Sequence, residues 1–444
     1  MAASSVSRIG ELGLSAGVVK FVAEALGQGN VRRAIDVIQT IALTLGFFMA
    51  LLLVLGYPLF VIGLGYFLPV EGVPIALEIL PYALMSLWMM VMVSVFSGGL
   101  DGCMRMDFRS YLMMGSHFVY LGLTIALVPH FGLKGVVMAQ LIQSLSLMLA
   151  LWLGLKWHLK QLPMIPSYWN FQVLKDMFGY GVNFQVITIV NMLFEPIVKA
   201  MMSKFGGLEA LGYYEMANKL ILQGRALIAN ASRVMVPAVA VLQETDENKA
   251  RRLFMASYRL TFYVSVVFFG MLGIFISSIS MLWLGSYETT FIQYALLLNL
   301  GWFVNTLINP AYFSNLGTGK LIPNMVAHTL IGLISPIVGG GLGLYYGGVG
   351  VVLGMVVGLS IGSIYVLIEY FYRSELEWKN DLIPQNMSLL MFFMGIAVVL
   401  SNFGSGIQQD FTSVMTISLL CSFFMLMLGW FNPARKEMLK RLSV

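Results

Sequence analysis

Apolar residues in this chain run on in long stretches instead of alternating with polar ones. Stretches long enough to cross hydrocarbon as a helix, about 20 residues, fall at 38–66, 75–98, 110–128, 135–156, 179–202, 211–236, 257–283, 290–314, 322–345, 349–372, 385–402 and 411–431. They are too long for strands and too evenly apolar for water-facing helices, so the pattern predicts about twelve membrane-spanning helices and an all-α fold. Gly56, Tyr57 and Pro58 interrupt the first run. A proline there predicts that the outer third is a separate kinked piece.

Composition agrees. Of 444 residues, 59% are hydrophobic and 11% charged, with a mean hydropathy of +0.84, whereas a soluble domain carries about 25% charged residues. The net charge of +5 does not point to nucleic acid, because the basic residues sit in short loops between apolar runs. Alternate loops hold Arg8, Lys20, Arg32 and Arg33; Arg105 and Arg109; Lys156, Lys160 and Lys175; Lys249, Arg251, Arg252 and Arg259; Lys320; Arg373 and Lys379; and Arg435, Lys436, Lys440 and Arg441. The other side has only Lys134 and Lys204, so both termini are expected in the cytoplasm.

No catalytic, metal or cofactor constellation emerges. Cys103 and Cys421 have no metal or disulfide spacing and read as packing residues. The histidines His117, His130, His158 and His328 are scattered. Gly317-Thr318-Gly319-Lys320 is not a phosphate-binding loop, since Ser314 stands where its first glycine belongs and Leu321 follows the lysine. No loop could hold the catalytic domain of a membrane glycosyltransferase or polysaccharide polymerase, which argues against that class.

The chain also repeats itself. Tyr82-Ala83-Leu84 returns as Tyr294-Ala295-Leu296, Gly132-x-x-Gly135-Val136-Val137 as Gly347-x-x-Gly350-Val351-Val352, and Arg32-Arg33 as Arg251-Arg252, at offsets of 212, 215 and 219. Matching loops lie on the same side, so the predicted repeats are parallel, related by an axis along the membrane normal. The second repeat opens near residue 178, which places most of its counterpart's opening before Met1. The expectation is therefore that two N-terminal helices of the first repeat are missing from this sequence. The runs 385–402 and 411–431 have no partner in the first repeat, and the basic tail Ala434 to Arg441 is expected on the cytoplasmic lipid surface.

The segment from Phe194 to Pro237 holds nearly all the charges placed inside apolar runs. Each costs roughly 2.5 to 3.5 kcal/mol at a helix centre, so such residues face a cavity or a partner. Two helices joined by a Gly-rich turn are predicted, forming the wall of a polar cavity. Glu195 and Lys199 are four apart, acid first, as are Glu215 and Lys219, the favourable order for helical pairs. Arg233, eighteen residues after Glu215, returns to the same face. Lys219 and Arg225 are the best candidates for holding an anion, Arg through its planar fork and Lys as a point charge. Two plainer readings stand beside this: Lys199 and Arg233 snorkel to the membrane surface, or the acids and bases form a neutral structural cluster. The stripe Gly350, Gly354, Gly358 and Gly362 reads as a close helix-packing face. Asn183, Asn191, Gln223 and Asn305 are residue types too common to assign.

At Glu195-Pro196 to Lys199, Gly206-Gly207, Gly212 to Leu220, Arg225 and Pro237, the sequence resembles the polysaccharide biosynthesis and export family of oligosaccharide flippases. That family shares a superfamily with multidrug and toxin extruders and lipid II flippases. Glu11-Leu12-Gly13-Leu14, leading to Val22-Ala23-Glu24-Ala25, resembles the segment after its second helix, and Gly132-Leu133-Lys134-Gly135 the turn before its sixth. The resemblance implies a 14-helix fold of two lobes around a central cavity, here without helices one and two. Residues 1–157 would be the incomplete N-terminal lobe, 158–177 a cytoplasmic linker, 178–372 the C-terminal lobe, and 373–444 two extra helices with the tail. It further implies translocation of an undecaprenyl diphosphate-linked oligosaccharide across a bacterial inner membrane, without cofactor or catalysis. Lys199, Lys219 and Arg225 would contact the anionic headgroup, and Glu195 and Glu215 would tune the patch or answer a coupling cation, proton or sodium. Membrane lipids and polysaccharide polymerase or export machinery are the implied partners. The alternatives are a cation-coupled multidrug extruder of the same fold and a non-transporting scaffold of an export complex.

Overall fold

In the computed structural model, residues 14–67, 73–376, 387–407 and 410–431 are described. They are helical, with no strand among them. In chain order the helices are α1 (Leu14–Gly27), α2 (Val31–Phe67), α3 (Val73–Gly102), α4 (Met106–Phe131), α5 (Leu133–His158), α6 (Phe171–Ser232), α7 (Met235–Thr245), α8 (Glu247–Leu284), α9 (Thr289–Leu307), α10 (Asn309–Thr318), α11 (Ile322–Arg373), α12 (Met387–Ile407) and α13 (Phe411–Phe431). The described part of each predicted apolar run is almost wholly helical; residues 385 and 386 lie outside the described residues. The expected motifs at Arg8 and Glu11 to Gly13, the residue Lys379 and the basic tail lie outside the described residues.

Two of the helices are hairpins. Gly207 (φ 86°, ψ 173°) turns α6 back on itself and Gly347 (φ 58°, ψ −138°) does the same in α11. Both dihedral pairs lie where a side chain is strained, so glycine is required. Among the described residues eight helices are long and apolar enough to cross a membrane. Two of these contain the hairpins, each accounting for two expected runs, and the shorter apolar stretches Leu390–Asn402 and Phe411–Met427 account for the last two.

Two local predictions need correction. The first run is one continuous helix through Gly56 and Pro58. The proline forfeits only its own bond to the carbonyl four residues back, and in hydrocarbon an unbroken ladder keeps every other polar group satisfied. Conversely, the run 290–314 is divided: α9 stops at Leu307 and α10 begins at Asn309. Pro310 has no N–H to offer the Thr306 carbonyl, which accepts from Ile308 instead.

The chain forms two compact units. The first holds the chain up to Ile189 with Val236–Glu247 and Leu316–Leu321. Its core is built from α1, α2, α3 and α5, around Val18, Val22, Ile38, Ile41, Leu45, Val91, Leu151 and Leu155, all fully buried. Gly102 lets α1 approach α3, since a Cβ there would stand 2.7 Å from that of Val22.

The second unit holds Val190–Met235, Asn248–Asn315 and the chain from Ile322 onward. Met202, Tyr214, Ala217, Ile221, Phe291, Leu298 and Val352 fill its core. The glycine stripe packs as predicted: a Cβ on Gly354 would fall 2.1 Å from the Gly339 nitrogen, and one on Gly358 2.1 Å from Ser335 Oγ. α12 and α13 are pinned to α8 by short polar bonds, Asn402 Nδ2 to Gly273 O (2.8 Å), Ser401 Oγ to Ile274 O (2.6 Å) and Ser278 Oγ to Ser418 Oγ (2.9 Å).

The repeat is visible in local geometry. Gly132 in the first unit has φ 55° and ψ −132°, within a few degrees of Gly347 in the second. Three residues on, a Cβ at Gly135 would stand 2.6 Å from the Leu127 carbonyl oxygen, and one at Gly350 2.3 Å from that of Leu342. Leu127 and Leu342 are separated by the same 215 positions as the glycines.

Candidate functional site

The hairpin α6 brings together three of the five predicted site residues. Lys199 Nζ lies 2.6 Å from Glu195 Oε1 on its own arm and 2.6 Å from Glu215 Oε1 on the returning arm. The expected pairing of Glu215 with Lys219 is therefore not made. Tyr214 explains the aim of Glu215: its buried ring packs into the core with its hydroxyl 3.5 Å from Met355 Sδ, which sets the rotation of the second arm. The three side chains carry a net charge of −1. Glu195 is 59% exposed and Glu215 only 23%, so the inner carboxylate depends more on its lysine.

Lys219 is exposed, and among the described residues it has no ion pair. It sits one position after Asn218, about 100° round the helix, on a different face from Arg225. Arg233 falls just past the end of α6 and is exposed at the turn.

Arg225 makes a second, separate site. Its Nη2 donates to Asn305 Oδ1 at 2.8 Å, and its guanidinium carbon lies 4.8 Å from the centre of the Trp302 ring. Trp302 Nε1 donates to Asn218 Oδ1 (2.9 Å), and Asn305 Nδ2 to Ser363 Oγ (3.0 Å). Asn218 and Arg225 are seven residues apart, hence on one helical face, while Trp302 and Asn305 are neighbours on α9. The half-buried Tyr312 and His328 rings, 5.7 Å apart, lie within electrostatic reach of the same guanidinium. Among the described residues Arg225 has no carboxylate partner, and its buried Nε has no hydrogen bond.

A stacked guanidinium held by neutral groups has a fork oriented in advance and charge left to share, the properties that recognise a phosphate or carboxylate. The Glu195–Lys199–Glu215 trio has one carboxylate in excess, so a proton or cation can be taken up there while one ion pair remains. Neither site contains a nucleophile paired with a base. Among the described residues no three His, Cys, Asp or Glu side chains are grouped to hold a metal.

A family model described as "Polysaccharide biosynthesis protein" matches residues 2–287. The chain belongs to that family. No curated protein matches its sequence. Solved structures similar to this polysaccharide biosynthesis protein include a MATE in the bent conformation, at 15% identity and TM-score 0.72 over 83% of this chain and 84% of that one. The Vibrio cholerae MATE transporter VcmN in the bent form matches at 15% identity and TM-score 0.73, over 84% and 86%. The outward-facing conformation of a multidrug resistance MATE family transporter of the MOP superfamily matches at 15% and 0.67, over 84% and 85%. The fold is the all-α membrane fold of those transporters.

Sequence reasoning about this family member missed Trp302, Asn218 and Ser363, and passed over Asn305 as too common. One signal was available. Trp302 and Asn305 are a polar-edged pair three residues apart inside a largely apolar run, where a carboxamide needs a partner.

Proposed function

We propose that this protein is a flippase that moves an undecaprenyl diphosphate-linked oligosaccharide from the cytoplasmic to the periplasmic face of a bacterial inner membrane by alternating access. The observation that carries the reading is Arg225, a guanidinium stacked on Trp302, steered by Asn305 and without a carboxylate partner among the described residues, in a chain of a polysaccharide biosynthesis family. A diphosphate supplies the missing anion. Lys219, exposed on another face of α6 and without an ion pair among the described residues, gives the hairpin a second positive charge for the substrate, apart from the one at Arg225.

In this reading Lys199 is held in reserve. While Glu195 and Glu215 are both ionised they occupy its charge; a proton or sodium ion taken up by one carboxylate leaves Lys199 paired with the other alone, and neutralisation of both frees it for the headgroup. That exchange would couple ion uptake to substrate binding. Residues 1–157 and 178–372 act as the two lobes, 158–177 as their cytoplasmic linker, and 373–444 as an added pair of helices with a tail that meets lipid or the polymerase and export machinery.

One observation favours a second reading, a cation-coupled multidrug extruder. The Glu195–Lys199–Glu215 trio is net acidic, which suits a cationic drug. The two readings separate in a host lacking the gene. The flippase predicts less surface polysaccharide and a build-up of lipid-linked oligosaccharide inside, with drug tolerance unchanged. Normal polysaccharide with altered drug tolerance establishes the extruder.

A further inference from the structure

The first unit contains a feature that the transport reading does not use. α2, α3 and α5 enclose a cavity of about 390 Å³ lined by Ala42, Gly46, Trp88, Met92, Phe96, Met148 and Trp152. Its rim residues Phe47 and Leu149 are 73% and 51% exposed, so it opens sideways between the helices on an apolar rim. Both indole N–H groups are spent within the protein, Trp88 on the Gly46 carbonyl (2.8 Å) and Trp152 on that of Met164 (2.7 Å). The walls therefore offer an entering chain apolar and aromatic surface with no unmet donor, the condition for a dry pocket that accepts hydrocarbon.

One end of the cavity is roofed by Met164, Ile165 and Pro166. The roof is fastened by side chains of α2: Gln39 Oε1 accepts from the Ser167 and Tyr168 backbone N–H groups (3.0 and 3.2 Å), Thr40 Oγ1 accepts from the Asn170 N–H (3.2 Å), and Trp169 Nε1 donates to Thr44 Oγ1 (3.0 Å). Gln39 and Thr40 are themselves buried. The pocket is thus built into the fold and is not a gap between loosely packed helices.

Charge sits beside it. Lys156 is seven residues past Leu149 and four past Trp152, so it continues the lining face of α5 one turn beyond the cavity, about 6 Å along the axis. Lys160 follows in the turn that leads to the roof and is exposed. Neither has a carboxylate partner among the described residues. An apolar slot between helices, ending at two uncompensated lysines on the side assigned to the cytoplasm by the loop charges, matches a molecule with a hydrocarbon chain and an anionic head.

We propose that this slot binds one acyl chain of an anionic bilayer phospholipid, with the phosphate on Lys156 and Lys160. The site has its own cations and stands independently of the headgroup site at Arg225, which favours a bilayer lipid over the transported one.

The protein purified into detergent and offered phosphatidylglycerol or phosphatidylcholine, with retained lipid counted by native mass spectrometry, tests this. The wild type should retain phosphatidylglycerol with a preference on the order of 30-fold over phosphatidylcholine, as two surface lysines supply. Met148→Trp should fill the slot and abolish retention of both, with Leu149→Trp on the exposed rim repeating the test if the first variant fails to fold. The double variant Lys156→Gln, Lys160→Gln should keep a lipid and lose the preference. Equal retention of the two lipids by the wild type, or undiminished retention by the filled variants, overturns the proposal. Displacement of phosphatidylglycerol by undecaprenyl phosphate overturns the choice of occupant and makes the slot a substrate site.

Discussion

Lys199 and Glu215 are sixteen positions apart in the sequence, yet their charged atoms stand 2.6 Å from each other. In an unbroken helix sixteen residues span about 24 Å, so this ion pair exists only because Gly207 reverses the chain between them. The same lysine holds Glu195 at 2.6 Å. One cation thus ties both arms of α6, and the three positions form a single unit.

The trio should respond unequally to neutralisation. Glu195→Gln removes an exposed partner and is expected to cost less than about 1 kcal/mol. Lys199→Ala leaves the more enclosed Glu215 carboxylate without its partner and should cost about 1–3 kcal/mol. Thermal unfolding in detergent reads the difference, and equal shifts for the two variants would show that the arms are not tied through Lys199.

Arg225→Lys should be nearly as damaging to transport as Arg225→Ala. A lysine keeps the charge but loses the planar stack on Trp302 and the directed bond to Asn305. Transport by the lysine variant at the wild-type rate would mean that positive charge alone suffices there.

Within α11, Gly354→Ala and Gly341→Ala should have opposite effects. The first puts a methyl group 2.1 Å from the Gly339 backbone nitrogen, while nothing lies within 4 Å of the second. Overpacking should destabilise the first by about 1–3 kcal/mol or more, and Gly341→Ala should be neutral or stabilising by up to about 1 kcal/mol. Paired melting curves decide it.

Cys103 should resist thiol reagents. It follows the last residue of α3, and burial pushes its thiol up to about 12, against the weaker pull of Arg105. The raised value keeps the neutral thiol dominant at pH 7 to 9, and only the thiolate reacts. Maleimide labelling should be far slower than for a free thiol, whose ordinary value is about 8.5, and should climb with each pH step. Rapid labelling at pH 7 would contradict the burial.

Much of the fold was legible because hydrocarbon imposes a coarse rule, long apolar runs with every backbone group satisfied within the helix. The hairpin at Gly207, the repeat around Gly132 and Gly347 and the packing role of the glycine stripe could all be read from spacing. What could not be read was side-chain choice across the hairpin. Glu215 has two lysines within reach, Lys219 by helical spacing and Lys199 by the fold, and only the rotation set by buried Tyr214 decides between them. The environment of Arg225 was hidden for a similar reason: Trp302, Asn305 and Ser363 lie on other helices, with no sequence period linking them to α6. The break at Pro310 was visible in principle, and the missing break at Pro58 shows that a proline's effect depends on what surrounds the carbonyl it leaves without a donor.

The most direct test is translocation itself. The protein is reconstituted into vesicles holding an undecaprenyl diphosphate-linked oligosaccharide, and the fraction of saccharide reachable by an external lectin is followed over time. The account predicts exchange across the bilayer by the wild type and its loss in Arg225→Ala with stability retained. Equal exchange by wild type, the alanine variant and empty vesicles would contradict it.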